Sequence, residues 1–263
     1  FFFTQTRAYE IPLRLVGSEM CIRDSKGNEE RSKPYQYSIN SWKNWCHKNN
    51  YELFVLTERI YPQEIMNPNW HKVFVFDLFD SNGIEYDQIC FVDADTIVHP
   101  NCPDFFKMSE HKFCGVYNDG SYDWLLRSIE VYKKYLFPKI ELPFWKYINS
   151  GFMIANKNHK DFFKSIQQFY FDNRELIVKI QENFHVGTDQ PIINYYLTLK
   201  NISCKLLPYE FNMQDLHRKE ILSEMLYTKI GWVYHFNAIP PQIKKQYGEV
   251  GDWMKRTYEY LYG

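Results

Sequence analysis

Two aspartates one residue apart, Asp93 and Asp95, close the apolar stretch of ICFVDADTIV (Ile89–Val98). A buried parallel strand reads as a near-continuous apolar run, and open α/β sheets bind ligands just beyond the carboxyl ends of such strands. With Ala94 between them, the two carboxylates leave the strand end pointing to the same side, where a divalent cation can be shared. An acidic pair in a surface loop is usually only a solvated turn. Directly after ICFV it needs partners, because burying carboxylates without them is costly. Hard oxygen ligands suit Mg²⁺ or Mn²⁺, and one added imidazole tilts the choice towards Mn²⁺.

Other residue types extend this chemistry. His235, in WVYHFNA at the end of a second apolar run, is the best candidate for the imidazole. It lies 140 positions from Asp95, which is no obstacle if both segments deliver their ends to one cleft; otherwise it is a satisfied core histidine. Asn149-Ser150-Gly151 in YINSGFMIAN pairs a carboxamide able to bind ligand hydroxyls with a glycine that lets a ligand approach the backbone, unless the triplet is a bulge or turn. Asp189-Gln190 in GTDQPIIN sits at a helix start, where Asp189 is either a simple N-cap or part of a binding pair with Gln190. Lys72 places a cation near the head of a helix before the aspartate strand, available to a diphosphate or merely solvated.

The elements that must position these residues follow from periodicity. Tyr35, Ile39, Trp42 and Cys46 recur at helical spacing, so Pro34–Lys48 is predicted helical, followed by a strand over Tyr51–Leu56. Trp70–Phe79 is predicted as a second helix, leading into the strand Ile89–Val92. Further strands are expected at Phe113–Tyr117, Ile148–Ala155 with an interruption at Gly151, Cys204–Leu207 and Trp232–Phe236. Helices are expected at Trp124–Leu136, Asp161–Ile180 and Ile192–Leu199, with a turn at Asn118-Asp119-Gly120. This alternation predicts an α/β fold with a mostly parallel, Rossmann-like central sheet flanked by helices and a small antiparallel portion.

The chain of 263 residues is long enough for one large α/β domain, and no Pro/Gly/Ser-rich linker divides it. With 31 basic and 32 acidic side chains there is no global field to attract nucleic acid, and none is expected as a partner. The six cysteines, at 21, 46, 90, 102, 114 and 204, contain no C-x-x-C pair and read as ordinary thiols. No apolar run approaches the ~18 residues that span a bilayer. That favours a cytoplasmic location, a Golgi or other lumenal one requiring an anchor outside this sequence. Oligomeric state is not legible.

Residues 1–25 lack clear periodicity, and Val16–Ser25 (VGSEMCIRDS) resembles a translated adapter-type run, so this stretch is expected to be foreign to the fold. A single domain is then expected over 33–263. Its first convincing element is a helix, where a nucleotide-binding α/β domain normally opens with a strand.

Taken in order, YDQICFVDADTIV, YINSGFMIAN, GTDQPIIN, KLLPYEFN and WVYHF resemble the GT-A nucleotide-sugar glycosyltransferases, with a family 8-like or glycogenin-like pattern over roughly 33–237. The resemblance implies a metal held by Asp93, Asp95 and His235, bridging the phosphates of a UDP-sugar or similar donor bound near Lys72, Ala94, Ser150 and Gly151. It also implies that Asn149, Asp189 and Gln190 surround the donor sugar, and that transfer to an acceptor glycan, protein or lipid retains anomeric configuration. The sequence departs from the glycogenin-like pattern after the histidine, reading His235-Phe-Asn-Ala-Ile-Pro-Pro-Gln-Ile-Lys244 instead of a Gly-x-Lys-Pro-Trp run. Lys244 or Lys245 is the available substitute. A haloacid-dehalogenase-like phosphotransferase would need a later acidic pair, and no adjacent Asp-Asp occurs. A catalytically silent nucleotide- or sugar-binding module of the same fold is the remaining alternative.

Overall fold

The computed structural model describes residues 2–6, 15–17, 29–56, 59–216, 224–237 and 239–263. The elements run β1 (Phe2–Thr6), β2 (Leu15–Gly17), α1 (Glu29–Asn49), β3 (Glu52–Phe54), a 3₁₀ helix Pro68–Phe74, α2 (Val75–Ser81), β4 (Gln88–Val92) and β5 (Thr96–Val98). There follow α3 (Phe105–Ser109), β6 (Phe113–Tyr117), α4 (Tyr122–Tyr135), β7 (Ile148–Asn156), α5 (Lys160–Phe184) and α6 (Gln190–Leu199). The chain continues through β8 (Cys204–Leu207), β9 (Val233–His235), α7 (Pro241–Tyr247) and α8 (Val250–Tyr262).

The central sheet has the strand path β2-β1-β4-β7-β6-β8, with β3 also paired to β1. Only β6 and β8 pair in parallel, yet five of the seven strands run the same way, because β1 and β7 are the reversed strands that separate the others. The expected α/β architecture is therefore present. On β4 the period of two is plain. Ile89 and Phe91 enter one core with Met153, Phe163 and Ile166, while Cys90 and Val92 enter another with Trp42, Trp45 and Phe152. Both faces are covered, and β4 is buried throughout, which is why its sequence is an unbroken apolar run.

Three expectations change. Trp70–Phe79 is not one helix: Asn67 caps a 3₁₀ helix with Pro68 at its start, and the α-helical turns begin at Val75. Gly151 does not interrupt β7, which is continuous on its β4 side; on its β6 side, Gly115 pairs with Met153 and Val116 with Asn149, so residues 150–152 bulge. The strand at His235 does not join the main sheet. It pairs antiparallel with β5 in a separate two-stranded sheet. Of residues 1–25, the run after Gly17 lies outside the described residues. Cys46, Cys90, Cys102, Cys114 and Cys204 are free thiols, and burial pushes each of them up in pKa.

Candidate active site

The ladder between β4 and β7 ends with Asp93 N–H donating to Gly151 O at 2.9 Å. Immediately beyond it the chain turns. Thr96 Oγ1 donates to Asp93 O at 2.7 Å, and Trp42 Nε1 of α1 donates to Thr96 Oγ1 at 2.9 Å, so a buried tryptophan braces the turn that displays Asp93 and Asp95. The chain then enters β5, where Thr96 faces His235 in the β5–β9 register and Phe236 N–H donates to Asp95 O at 2.9 Å. A strand ladder thus closes the 140-residue gap.

His235 Nε2 lies 3.1 Å from Asp95 Oδ1 and 3.7 Å from Asp93 Oδ2. One ligand atom from each of the three residues falls within 4.8 Å of the others. The imidazole is 2% exposed and the two carboxylates 29% and 27%, so the cluster is anchored in the protein and open on its carboxylate side. Burial favours a protonated Asp93, but the Lys72 ammonium and His235 outweigh it and hold the carboxyl at about 2. Burial likewise opposes a charged His235, and Asp95 and Asp93 overcome it, raising its pKa.

Hydrogen bonding fixes which imidazole nitrogen faces the carboxylates. Gly151 N–H donates to Asn149 Oδ1 at 2.8 Å, and a backbone amide can only donate. Asn212 therefore approaches Asn149 Oδ1 with its Nδ2, at 3.0 Å, which turns Asn212 Oδ1 towards His235 Nδ1 at 3.1 Å. In the neutral ring Nδ1 carries the hydrogen, and Nε2 presents its lone pair to two carboxylates. Such a lone pair is stable there only with a proton or a cation between them, and carboxylate-imidazole donors fit Mn²⁺ or Mg²⁺. Gly151 keeps the cradle open. A Cβ there would collide with His235 Cε1 and would reach Asp93 Oδ2 at 2.7 Å and Asn149 Oδ1 at 2.8 Å.

The other sequence candidates converge on the same place. Lys72 is not solvated surface: it is 2% exposed, 3.1 Å from Asp93 Oδ1 and 3.3 Å from Asp189 Oδ2, and it donates to Ser150 O at 3.0 Å. Asp189 occupies the N-cap position of α6 without a side-chain capping bond. Its Oδ1 accepts from Thr188 Oγ1 at 2.9 Å while Oδ2 turns to Lys72. Gln190 Oε1 accepts from Ser150 N–H at 3.0 Å, pinning α6 to the β7 bulge. Asn149 Nδ2 donates to Gln214 Oε1 at 2.8 Å and Asn118 Oδ1 at 3.2 Å.

These residues line a cavity of about 610 Å³, large enough for a sizeable ligand, whose walls include Lys72, Asp93, Ala94, Asp95, Asn149, Ser150, Asp189, Gln190 and His235. Gly151 lies just behind them. Lys244 and Lys245 are not among its lining residues. The sequence reading missed Asn118, Trp124, Asn212, Gln214 and Asp215. Asn118 was visible only as the first residue of a turn, and Asn212 only as the last of KLLPYEFN.

No family model matches the chain, and no curated protein does. Among solved structures it is similar to a glycosyltransferase involved in glycosylation of the major capsid of PBCV-1, with 12% identity and a TM-score of 0.58 over 92% of this chain and 97% of that one. It also matches the WbbM bifunctional glycosyltransferase (10% identity, TM-score 0.49, 98% of this chain and 51% of that one). A third match is the glycosyltransferase GlyE of Streptococcus pneumoniae TIGR4 (10%, 0.42, 94% and 63%). The chain thus spans about half of WbbM. The likeness to the PBCV-1 enzyme shows that the chain has a glycosyltransferase fold.

Proposed function

We propose that this protein is a metal-dependent glycosyltransferase that moves a sugar from a nucleotide-diphosphate donor, a UDP-sugar, to an acceptor hydroxyl with retention of configuration. The observation that carries the reading is the Asp93–Asp95–His235 cluster, with the Nε2 lone pair held against two carboxylates at the mouth of the cavity. Mn²⁺ or Mg²⁺ bound there would neutralise charge on the departing diphosphate as a Lewis acid. The chain's own residues do the rest by position. The β7 bulge carries Asn149 and Ser150 to the wall, where Asn149 can orient the donor sugar and Ser150 can approach the phosphates. Asp189 and Gln190 close the sugar end from α6, and Lys72 balances the carboxylates at both ends. Holding two reactants in register is worth several kcal/mol of barrier when their atoms are aligned. The order of the five sequence segments supports a family 8-like enzyme, and retention rests on that resemblance.

Calorimetric titration of UDP, with Mn²⁺ and then with chelator, tests the proposal. Binding is expected with Mn²⁺ and lost with chelator, and also lost in Asp95→Asn with an unchanged circular dichroism spectrum. Equal UDP affinity in chelator, or full donor-dependent activity of Asp95→Asn without metal, would overturn it.

A further inference from the structure

We propose that Asn194 is a positioning residue of the cavity: its carboxamide sets the register of α6 against β7, and so fixes how Asp189 and Gln190 face Asn149 and Ser150. The inference rests on the glycosyltransferase reading, which puts the donor sugar between those two pairs, and it names the residue that keeps them in step.

β7 outruns its neighbour. The β4–β7 ladder has its last paired residues at Val92 and Phe152 and the chain turns away after Asp93, whereas β7 begins at Ile148. Ile148 and Ser150 thus lie on a stretch of β7 edge that β4 has left, in a buried setting where unpaired backbone groups are costly. Side chains replace the missing strand. Ile148 N–H donates to Asn194 Oδ1 at 2.8 Å, and Asn194 Nδ2 donates back to Ile148 O at 2.9 Å. Two residues along, Ser150 N–H donates to Gln190 Oε1 at 3.0 Å, and Ser150 O accepts from Lys72 Nζ at 3.0 Å.

The spacing is what makes this a register. Gln190 and Asn194 are four apart on α6, about 6 Å along its axis, and Ile148 and Ser150 are two apart on β7, about 6.7 Å along the strand. The two carboxamides therefore match two successive edge positions, with α6 running back along β7. Asn194 Nδ2 also donates to Gln190 O at 2.9 Å, which ties the two rungs to each other. Asn194 is 1% exposed and does not line the cavity, so it acts on a ligand only through Asp189 and Gln190. Its rung is a two-way bond to backbone, whereas Gln190 offers a single oxygen. Without Asn194, β7 stays pinned by β4 and β6, and the start of α6 is the part released.

Amide exchange in the ¹⁵N-labelled full chain tests the register directly. In Asn194→Leu, and in Asn194→Asp, which keeps the oxygen facing Ile148, the Ser150 amide should exchange at least about tenfold faster than in the wild type. The Asp93 amide, which donates to Gly151 O, is the control and should stay within about twofold of its wild-type rate. In the same variants Mn²⁺ and UDP affinities are expected within about twofold of wild type. Turnover onto water of whichever of UDP-glucose, UDP-galactose and UDP-N-acetylglucosamine the wild type uses should fall about tenfold in kcat, with KM within about twofold. Unchanged Ser150 exchange in a folded Asn194→Leu, or Ser150 and Asp93 accelerating together, would assign Asn194 to packing alone and overturn the proposal. So would an unchanged kcat in a variant whose Ser150 amide has opened. Should neither variant fold, the wild type still decides: rungs that open together give Ile148 and Ser150 protection within about fivefold of each other, and a wider gap overturns the proposal. Absence of UDP binding and of turnover in the wild type would sink the donor reading, and the exchange rates would still judge Asn194.

Discussion

An alanine at position 151 would drive its methyl group between His235, Asp93 and Asn149. Gly151→Ala is expected to destabilise by about 1–3 kcal/mol through overpacking and to abolish Mn²⁺-dependent UDP binding, read by denaturant melts and calorimetry. Normal binding would show that the cluster is looser than its geometry. Asn212 acts one bond further out. Asn212→Leu removes the acceptor that keeps hydrogen on His235 Nδ1, and Mn²⁺ affinity should fall about 10- to 100-fold, as for other residues that orient a metal-binding histidine; Mn²⁺ titration followed by electron paramagnetic resonance measures it. At this scale the sequence was informative where chemistry and burial coincide. Asp93, Asp95 and His235 each end an apolar run, and that contrast is visible without a structure. Asn118 also follows an apolar strand, FCGVY, but reads there as the start of a turn, and Asn212 ends no such pattern. Their roles come from a relay of hydrogen bonds starting at a backbone amide in β7, and carboxamides in loops leave no periodic trace.

At the scale of elements, apolar periodicity located β4, β6, α4, α5 and α6 because each buries a continuous face, and located β8 although of its residues only Leu207 is buried. It did not distinguish a 3₁₀ start from an α-helix at Pro68–Phe74, since both place apolar residues three or four apart. Nor did it reveal the departure of β9 from the main sheet, a property of pairing rather than of either strand alone; the β7 bulge was legible instead from Gly151, as one of the two readings of Asn149-Ser150-Gly151. The 3₁₀ segment carries a testable liability. His71 is fully buried, neither ring nitrogen has a hydrogen-bond partner among the described residues, and burial with the nearby Arg59 charge lowers its pKa from 6.5 to about 4. The folded state therefore resists a proton that the unfolded chain accepts. Stability from this group is complete above pH 6.5 and declines towards pH 4, by about 3 kcal/mol at 1.36 kcal/mol per pH unit. His71→Leu should flatten the pH dependence of unfolding in that window. An unchanged slope would show that His71 is already protonated or solvated.

For the whole molecule, the cluster joins β4 of the central sheet to β9 of the small sheet, so a cation there would cross-link the two sheets. At 100 times its Kd, Mn²⁺ should add about 2.7 kcal/mol to stability, or about 5–10 °C in melting temperature for a chain of this size. Scanning fluorimetry would detect it, and Asp95→Asn should remove it. No shift at saturating Mn²⁺ would mean that the ion does not select the folded state.

Lys72 has a further consequence. Its ammonium answers to Asp93 at one end of the cavity and to Asp189 at the other, and among the described residues it is the only lysine or arginine in the lining. The two ends therefore share one ammonium. Whatever changes the charge facing Asp93 changes how tightly Lys72 can hold Asp189, so a change of charge at one carboxylate reaches the other without any movement of the backbone. The cavity is electrically one compartment, although its walls come from eight different segments of the chain.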